Sequence, residues 1–406
     1  MTNRTPGPDC ELTILMPCLN EAATVAACVQ KAKRFLTRRG IEGEVVVADN
    51  GSDDSSREIA AAAGARVIPV ATRGYGAALI GGIAASRGRF VVMGDADDSY
   101  DFESLDLFVD QLRAGAELVM GNRFAGGIAP GAMPFLHRWL GNPVLSTLGR
   151  LMFHVGIRDF HCGLRGFDRR AILSLDLRCH GMEFASEMVL RASLLGLRVC
   201  EVPTTLRPDG RGRPPHLNTW RDGWRHLKLL LLYSPGWLFL GPGALLLVGG
   251  NSLQLALLPG PIMVAGLGLD IHTMLFSAGA SILGLQLILF AGLARVFGLQ
   301  QGLLPRSNTA KGFVEMLEVD VGLLVGTLMF LGGIALAILS LFAWNATGFG
   351  ALDPGLGMRA SIPAVTLLVA GVQVMFGSMF VGVLGLGSRS TPTATGAAGT
   401  SQLQEA

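Results

Sequence analysis

Residues 89–101 read RFVVMGDADDSYD, an apolar run that gives way to four aspartates in the seven positions 95–101. A short apolar run bounded by polar turn signals is a buried strand, so the charge falls at a strand's carboxyl end. A solvated loop is one account of it. A site for a hard divalent ion and a phosphorylated ligand is the other. The segments on either side decide between them.

Upstream, LTILMPCL (12–19) is a strand, and NEAATVAACVQKAKRFLTRRG (20–40) has helical apolar spacing, basic last turns and Gly40 as a stop. EVVVADNGSDDSS is a second buried strand running into a polar turn, followed by helix SREIAAAAG, strand ARVIPV and the small-residue helix GYGAALIGGIAAS. Downstream come helix FESLDLFVDQLRAG and strand AELVMGNRF. Strands alternating with helices imply an α/β fold with a Rossmann-like, mainly parallel sheet covered on both faces. Ligands of such sheets sit at the carboxyl ends of the strands. Here those ends bring Asn20 and Glu21, Asp49 and Asn50, and Asp95, Asp97 and Asp98 to one edge, which favours the ligand site over the loop.

The blocks ILMPCLNEAATV, VVVADNGSDDSS, RGYGAALIGGIAASRGRFVVMGDADDSYD and MGNRF resemble those of family 2 glycosyltransferases with the GT-A fold. MPFLHRWLGN, IRDFHCGLRGFDR, GMEFASEMVLRA and RPDGRGRP narrow the resemblance to polyprenyl-phosphate glycosyltransferases, the dolichol-phosphate mannose and glucose synthase-like enzymes, over residues 11 to about 235. It implies that Pro17, Leu19 and Glu21 frame the base and ribose of a nucleoside-diphosphate sugar and that Asp49 contacts the base. It implies further that Asp95, Ala96 and Asp97 reach the donor, and that Asp95 and Asp97 hold its Mg2+ or Mn2+. Many relatives carry Gln as a further metal contact where this chain has Ser99, so Ser99 or a water is the third ligand.

The implied reaction moves a hexose to a lipid phosphate, undecaprenyl or dolichyl, with inversion at the anomeric carbon. The nucleophile is a phosphate oxygen already ionised at neutral pH, so the site must supply position and positive charge more than a strong base. Arginine suits the acceptor because its fork matches phosphate and stays charged. Arg123 and Arg165 match acceptor-side positions, and Arg207, Arg211 and Arg213 lie in a Gly/Pro-rich segment able to close over phosphates. Asp97, Glu187, Arg123 and Arg165 are the catalytic candidates. Glu187, on a helix with an apolar face, would orient an arginine or a sugar hydroxyl or act as a base, with structural pairing as the other reading. Asp159 has the same standing, whereas His154 and His161 read as packing or surface residues.

Charge is divided along the chain. Residues 1–133 carry 13 Lys+Arg against 17 Asp+Glu (net −4), residues 134–230 carry 15 against 8 (net +7), and the last 176 hold 5 against 6. The overall balance of +2 gives no indication of nucleic-acid binding. Half the residues are apolar and the mean hydropathy is +0.46. No Asp, Glu, Lys or Arg occurs in 229–269, 271–294, 321–352 or 360–388, each long enough to cross a bilayer core of ~30 Å. The expected organisation is a tail (1–10), a nucleotide-sugar-binding part (11–133), an acceptor-side part with interfacial helices (134–235), an all-α transmembrane domain (236–388) and a disordered tail (389–406). Spans are expected near 237–258, 272–294, 321–344 and 361–387.

Met133–Val155 reads as interfacial helices, with ordinary core helices as the alternative, and Trp220, Trp224 and Trp237 with Arg221, Arg225 and Lys228 flank the first span. Arg295, Arg306 and Lys311 put the 295–320 loop, and with it both termini, in the cytoplasm of a multi-pass inner-membrane protein. The Gly-rich stretches GLGLD and FLGGIA suggest close helix packing, with general flexibility as an equal reading. The opening MTNRTPGPDCEL has no apolar core of a secretory signal, and the six cysteines form no C-x-x-C pair, which implies reduced thiols. A homo-oligomer is compatible with this reading. The rivals are a processive polysaccharide synthase, whose Q-x-x-R-W block fails here because Phe135 stands at the Gln, and a transporter or scaffold role of the membrane half for lipid-linked sugar.

Overall fold

Continuous apolar runs become strands buried on both faces. In the computed structural model, which describes residues 9–211, 219–304, 319–351 and 353–386, the chain divides into two units at Ser234/Pro235.

The first unit opens with β1 (Cys10–Cys18), α1 (Val25–Arg39), β2 (Gly43–Asp49), α2 (Ser56–Ala62), β3 (Arg66–Pro69), α3 (Tyr75–Ala85) and β4 (Gly88–Met93). It continues through α4 (Asp106–Arg113), β5 (Leu118–Asn122), the single turn α5 (Arg123–Gly126) and α6 (Asn142–Phe153). The remaining elements are β6 (Arg165–Asp168), α7 (Arg169–Ser174), α8 (Phe184–Leu194), β7 (Val199–Pro203) and α9 (Thr219–Leu232). α1 stops where the sequence predicted, because Gly40 takes φ +58, a left-handed conformation that costs other residues more.

The seven strands form one sheet in the order β3-β2-β1-β4-β6-β5-β7. All pairings are parallel except those of β6, which runs antiparallel between β4 and β5. The two-residue period of β1 sorts its side chains: Leu12, Ile14 and Met16 pack with Val25, Val29 and Phe35 of α1, while Leu15 faces Leu79 of α3 and Met188 of α8. Truncating a buried Phe such as Phe35 to Ala would cost about 3–5 kcal/mol. Register pairs Cys18 with Asp49, Leu15 with Met93 and Met93 with Arg165. The polar residues after β1, β2 and β4 therefore share one edge, and β6 begins there.

The sequence predicted neither β6 nor β7. Over Met133–Val155, α6 follows a π-helical turn, His137–Gly141, with Phe135, Trp139, Leu140 and Leu151 exposed.

Among the described residues the second unit holds four helices long and apolar enough to cross a membrane, Gly236–Leu257, Ile271–Gln300, Val319–Asn345 and Gly355–Leu384. The second and fourth outrun the uncharged windows because Arg295 and Arg359 are accommodated inside helices. Arg359 bonds the Asp270 carboxylate and the Leu257 carbonyl. Small residues allow close approach: a Cβ on Gly284 would stand 2.4 Å from the Leu247 backbone nitrogen, and one on Gly333 2.8 Å from Leu368. Gly333 belongs to the FLGGIA stretch, as expected. GLGLD instead forms part of a hairpin, Ile262–Val264 with Leu267–Leu269, because positive φ at Ala265 and Gly266 reverses the chain there.

Candidate active site

The four aspartates of DADDSYD have four different environments. Asp95 accepts a hydrogen bond at Oδ1 from the Tyr75 hydroxyl (3.0 Å), the first residue of α3. Asp97 accepts at Oδ1 from the Ser99 hydroxyl (2.6 Å) and amide (3.0 Å), and its Oδ2 lies 2.5 Å from Nη2 of Arg211. Asp98, with φ +62, turns back to Lys31 of α1 at 2.6 Å. Asp101 accepts from the Glu103 amide and pairs with Arg207 at 3.2 Å. Only Asp95 and Asp97 remain as neighbouring donor-edge carboxylates.

Burial and then the Asp97 charge push the Asp95 carboxyl up to about 6, while Tyr75, Arg211 and Arg123 pull the other way. A second carboxylate this close to Asp95 calls for a cation. Asp95 Oδ2 faces Gly163, where a Cβ would come within 2.6 Å of it; glycine leaves that oxygen room. Among the described residues, no group of three or more His, Cys, Asp or Glu could hold a metal. The protein thus offers two hard oxygen donors, which fits a Mg2+ or Mn2+ whose remaining ligands come from water and a diphosphate. Of the two expected third ligands, Ser99 or a water, Ser99 donates its hydroxyl hydrogen to Asp97.

Around this pair the edge is tightly braced. Thr24 Oγ1 donates to the Ala96 carbonyl at 2.7 Å, tying the start of α1 to the aspartate loop. The Glu21 amide donates to Ser56 Oγ at 2.8 Å, and Oε1 of Glu21 sits 3.2 Å from Nη1 of Arg211. Asp49 is buried and accepts from the Gly51 and Ser52 amides and from Nε of Arg57 at 2.7 Å. Pro17 lies in β1 opposite Ala48, with Leu19 just beyond the strand. The backbone of the 207–211 segment also docks on the aspartate loop, Arg207 N–H to the Ser99 carbonyl and Gly210 N–H to that of Asp97, both at 2.9 Å. Arg207 and Arg211 are therefore seated on donor-side carboxylates, where the sequence reading had them on the acceptor phosphate. Arg213 lies outside the described residues.

Arg123 follows β5 and forms a fork with Asp159, Nε to Oδ2 at 2.7 Å and Nη2 to Oδ1 at 2.8 Å. Asp159 is held in turn by Glu201, which accepts from the amides of Arg158 and Asp159. The expectation of an acceptor-facing fork on Arg165 is corrected. Arg165 is 0 % exposed, and its guanidinium donates to the carbonyls of Cys162, Ala185 and Phe160 at 2.7–2.9 Å. It ties the 160–165 loop to α8. Glu187 is likewise buried, and its carboxylate accepts from the Arg178 and Cys179 amides at 2.8–3.1 Å. Both oxygens fix that turn, which is the structural pairing weighed against a basic role.

The chain is matched over residues 13–175 by the family described as glycosyl transferase family 2, and over 292–385 by the glycosyltransferase family 2 C-terminal transmembrane region. The low-salt glycan biosynthesis hexosyltransferase Agl6 of Haloferax volcanii is 37% identical over 383 residues, covering 92% of this chain and 89% of that one. The chain belongs to glycosyltransferase family 2. The dolichyl-phosphate hexose transferase of H. volcanii is 30% identical over 197 residues, covering 48% of this chain and 83% of that one. The polyprenol monophosphomannose synthase of Mycolicibacterium smegmatis is 28% identical over 214 residues, with shares of 50% and 79%.

This family 2 glycosyltransferase is a membrane protein with a GT-A domain followed by four apolar helices. Some residues at its edge escaped the sequence reading. Tyr75, in the quoted GYG, touches Asp95, and Arg57 stands on Asp49. His226 of α9 shares the Ser186 hydroxyl with His161, at 2.9 and 3.3 Å. Burial drives the His226 imidazole down to about 4 and His161 well below its usual range. No spacing in the sequence pairs positions 161 and 226.

Proposed function

We propose that the enzyme transfers a hexose from a nucleoside-diphosphate sugar to a polyprenyl phosphate, undecaprenyl or dolichyl, giving a polyprenyl-phosphate sugar with the anomeric configuration inverted. A phosphate oxygen of the lipid attacks the anomeric carbon, the bond from that carbon to the diphosphate oxygen breaks, and the nucleoside diphosphate departs with the electron pair. The observation that carries the reading is the paired edge of Asp95 and Asp97, each with one oxygen turned to a guanidinium or to the space left by Gly163. The relatives named for dolichyl-phosphate and polyprenol chemistry support the acceptor class.

Asp95 and Asp97 would hold a Mg2+ or Mn2+, which supplies Lewis-acid charge to the leaving diphosphate. Pro17, Leu19, Glu21, Asp49 and Ala96 frame the nucleotide, with Ser99 orienting Asp97. Arg211 stands on the carboxylate that takes the ion, so arrival of the donor frees its guanidinium for phosphate. Arg123, its plane fixed by Asp159, takes the acceptor phosphate, and Arg207 adds charge beside Asp101. Arg165 and Glu187 act as positioning residues.

The segmentation at 11–133, 134–235 and 236–388 belongs to this reading, as does the placement of the catalytic unit and both termini on the cytoplasmic side of the inner membrane. The exposed apolar residues of 135–151 support contact with the bilayer interface. The test is a screen of radiolabelled UDP- and GDP-sugars with the purified chain, Mn2+ and polyprenyl phosphate. One donor should carry label into the organic phase in a product with an acid-labile sugar phosphate; no label with any donor would sink the reading.

A further inference from the structure

We propose that a second hollow of the first unit binds the headgroup of an anionic phospholipid bearing hydroxyls, a glycerophosphate type of headgroup. The hollow measures about 490 Å³ and is bounded by Arg73, just before α3, by His180 and Glu183 on the turn into α8, and by Arg225 and Lys228 of α9. None of the donor-edge carboxylates lines it. Its volume lies within the ~300–1,000 Å³ of ligand clefts.

Three observations point to that ligand. The first is charge. Arg73, Arg225 and Lys228 line the hollow with a single lining carboxylate, Glu183; Arg225 also pairs with Asp222 at 3.6 Å, which leaves the rim with an excess of positive charge that an entering anion would offset. Arg225 and Lys228, three apart, share one face of α9.

The second is an unsatisfied acceptor. Oε2 of Glu183 is buried with no hydrogen-bond partner, an unfavourable state for a carboxylate oxygen. A bare phosphate would only repel it, whereas a headgroup hydroxyl would donate to it while the phosphate meets the cations.

The third is amphiphilicity. Leu232 lines the same hollow at the end of α9, four positions ahead of Gly236, where the first span begins. Trp220 and Trp224 of that helix are 78% and 59% exposed, the side chains favoured at headgroup level. Basic clusters next to a membrane-crossing segment in sequence recognise anionic lipid headgroups by this combination. The inference does not depend on which sugar or acceptor the enzyme uses.

The test uses the full chain in nanodiscs of phosphatidylcholine containing phosphatidylglycerol or phosphatidic acid, with retained lipids counted by native mass spectrometry. Wild type should retain phosphatidylglycerol over phosphatidylcholine. Arg225→Gln with Lys228→Gln should cut its retention about tenfold, and Arg73→Gln, on another element, should act in the same direction. Glu183→Ala should abolish the preference for phosphatidylglycerol over phosphatidic acid. Equal retention by the double variant and wild type, at matched melting temperatures, would overturn the proposal. So would displacement by free glycerol 3-phosphate without any preference between phosphatidylglycerol and phosphatidylcholine, which would assign the hollow to a soluble phosphate.

Discussion

Arg211 touches both Glu21 and Asp97, so the carboxylates of the donor edge already have a tethered cation. An incoming metal ion has to displace it. The charge-assisted pair on Asp97, only 16% exposed on the arginine side, resists that exchange. Arg211→Gln should therefore tighten nucleotide-free Mn2+ binding by about three- to tenfold, on the order of 1 kcal/mol, as read by the electron paramagnetic resonance of free Mn2+. An unchanged affinity would contradict the competition.

The imidazole pair gives a second prediction at this scale. Unfolded His226 takes a proton near pH 6.5 and the folded one only near 4. Between those values the unfolded chain binds more protons, so stability falls as pH drops from about 6.5 towards 4. The loss attributable to this group is on the order of 2–3 kcal/mol, and His226→Asn should flatten the melting-temperature profile across that window. The DADDSYD cluster was legible as a site from its place after an apolar strand. Which aspartate meets which cation was not, since Lys31, Arg207 and Arg211 are brought to it by folding.

At the scale of elements, buried polar side chains hold turns that no strand pairing reaches. Glu187 links the start of α8 to the 178–179 backbone. Removing its carboxylate strands two inward N–H groups, so Glu187→Ala should destabilise the first unit by about 2–4 kcal/mol, seen as a lower melting temperature, with Glu187→Gln in between. A catalytic base at this position would instead lose turnover in both variants with melting unchanged.

The parallel core, β1 to β5 with α1, α3 and α4, was readable because the strands are short apolar runs, α1 and α4 keep a 3.6-residue stripe, and α3 is a run of small residues between two of the strands. β6 was not. It has four residues, begins with a buried arginine and carries a glycine, and only its neighbours β4 and β5 make it a strand. The same burial turned Arg165 from a ligand candidate into a brace, which a sequence motif cannot distinguish.

For the whole molecule, the shortage of charge after residue 230 made the four spans visible, and their ends moved most where Arg295 and Arg359 are absorbed into helices. The proposed topology has a direct reporter. Green fluorescent protein fused after Ala406 should fluoresce, and alkaline phosphatase fused there should be inactive; the opposite pair of results would invert the orientation.

The account as a whole rests on the two carboxylates at the end of β4 and the charge they recruit. Its most direct test is one turnover experiment with full-length protein, labelled donor and polyprenyl phosphate, run with wild type, wild type in excess EDTA and Asp97→Asn. The account predicts label in the lipid phase for the first and loss of nearly all of it in the other two. Transfer that persists undiminished in EDTA and in the Asp97→Asn variant would contradict it.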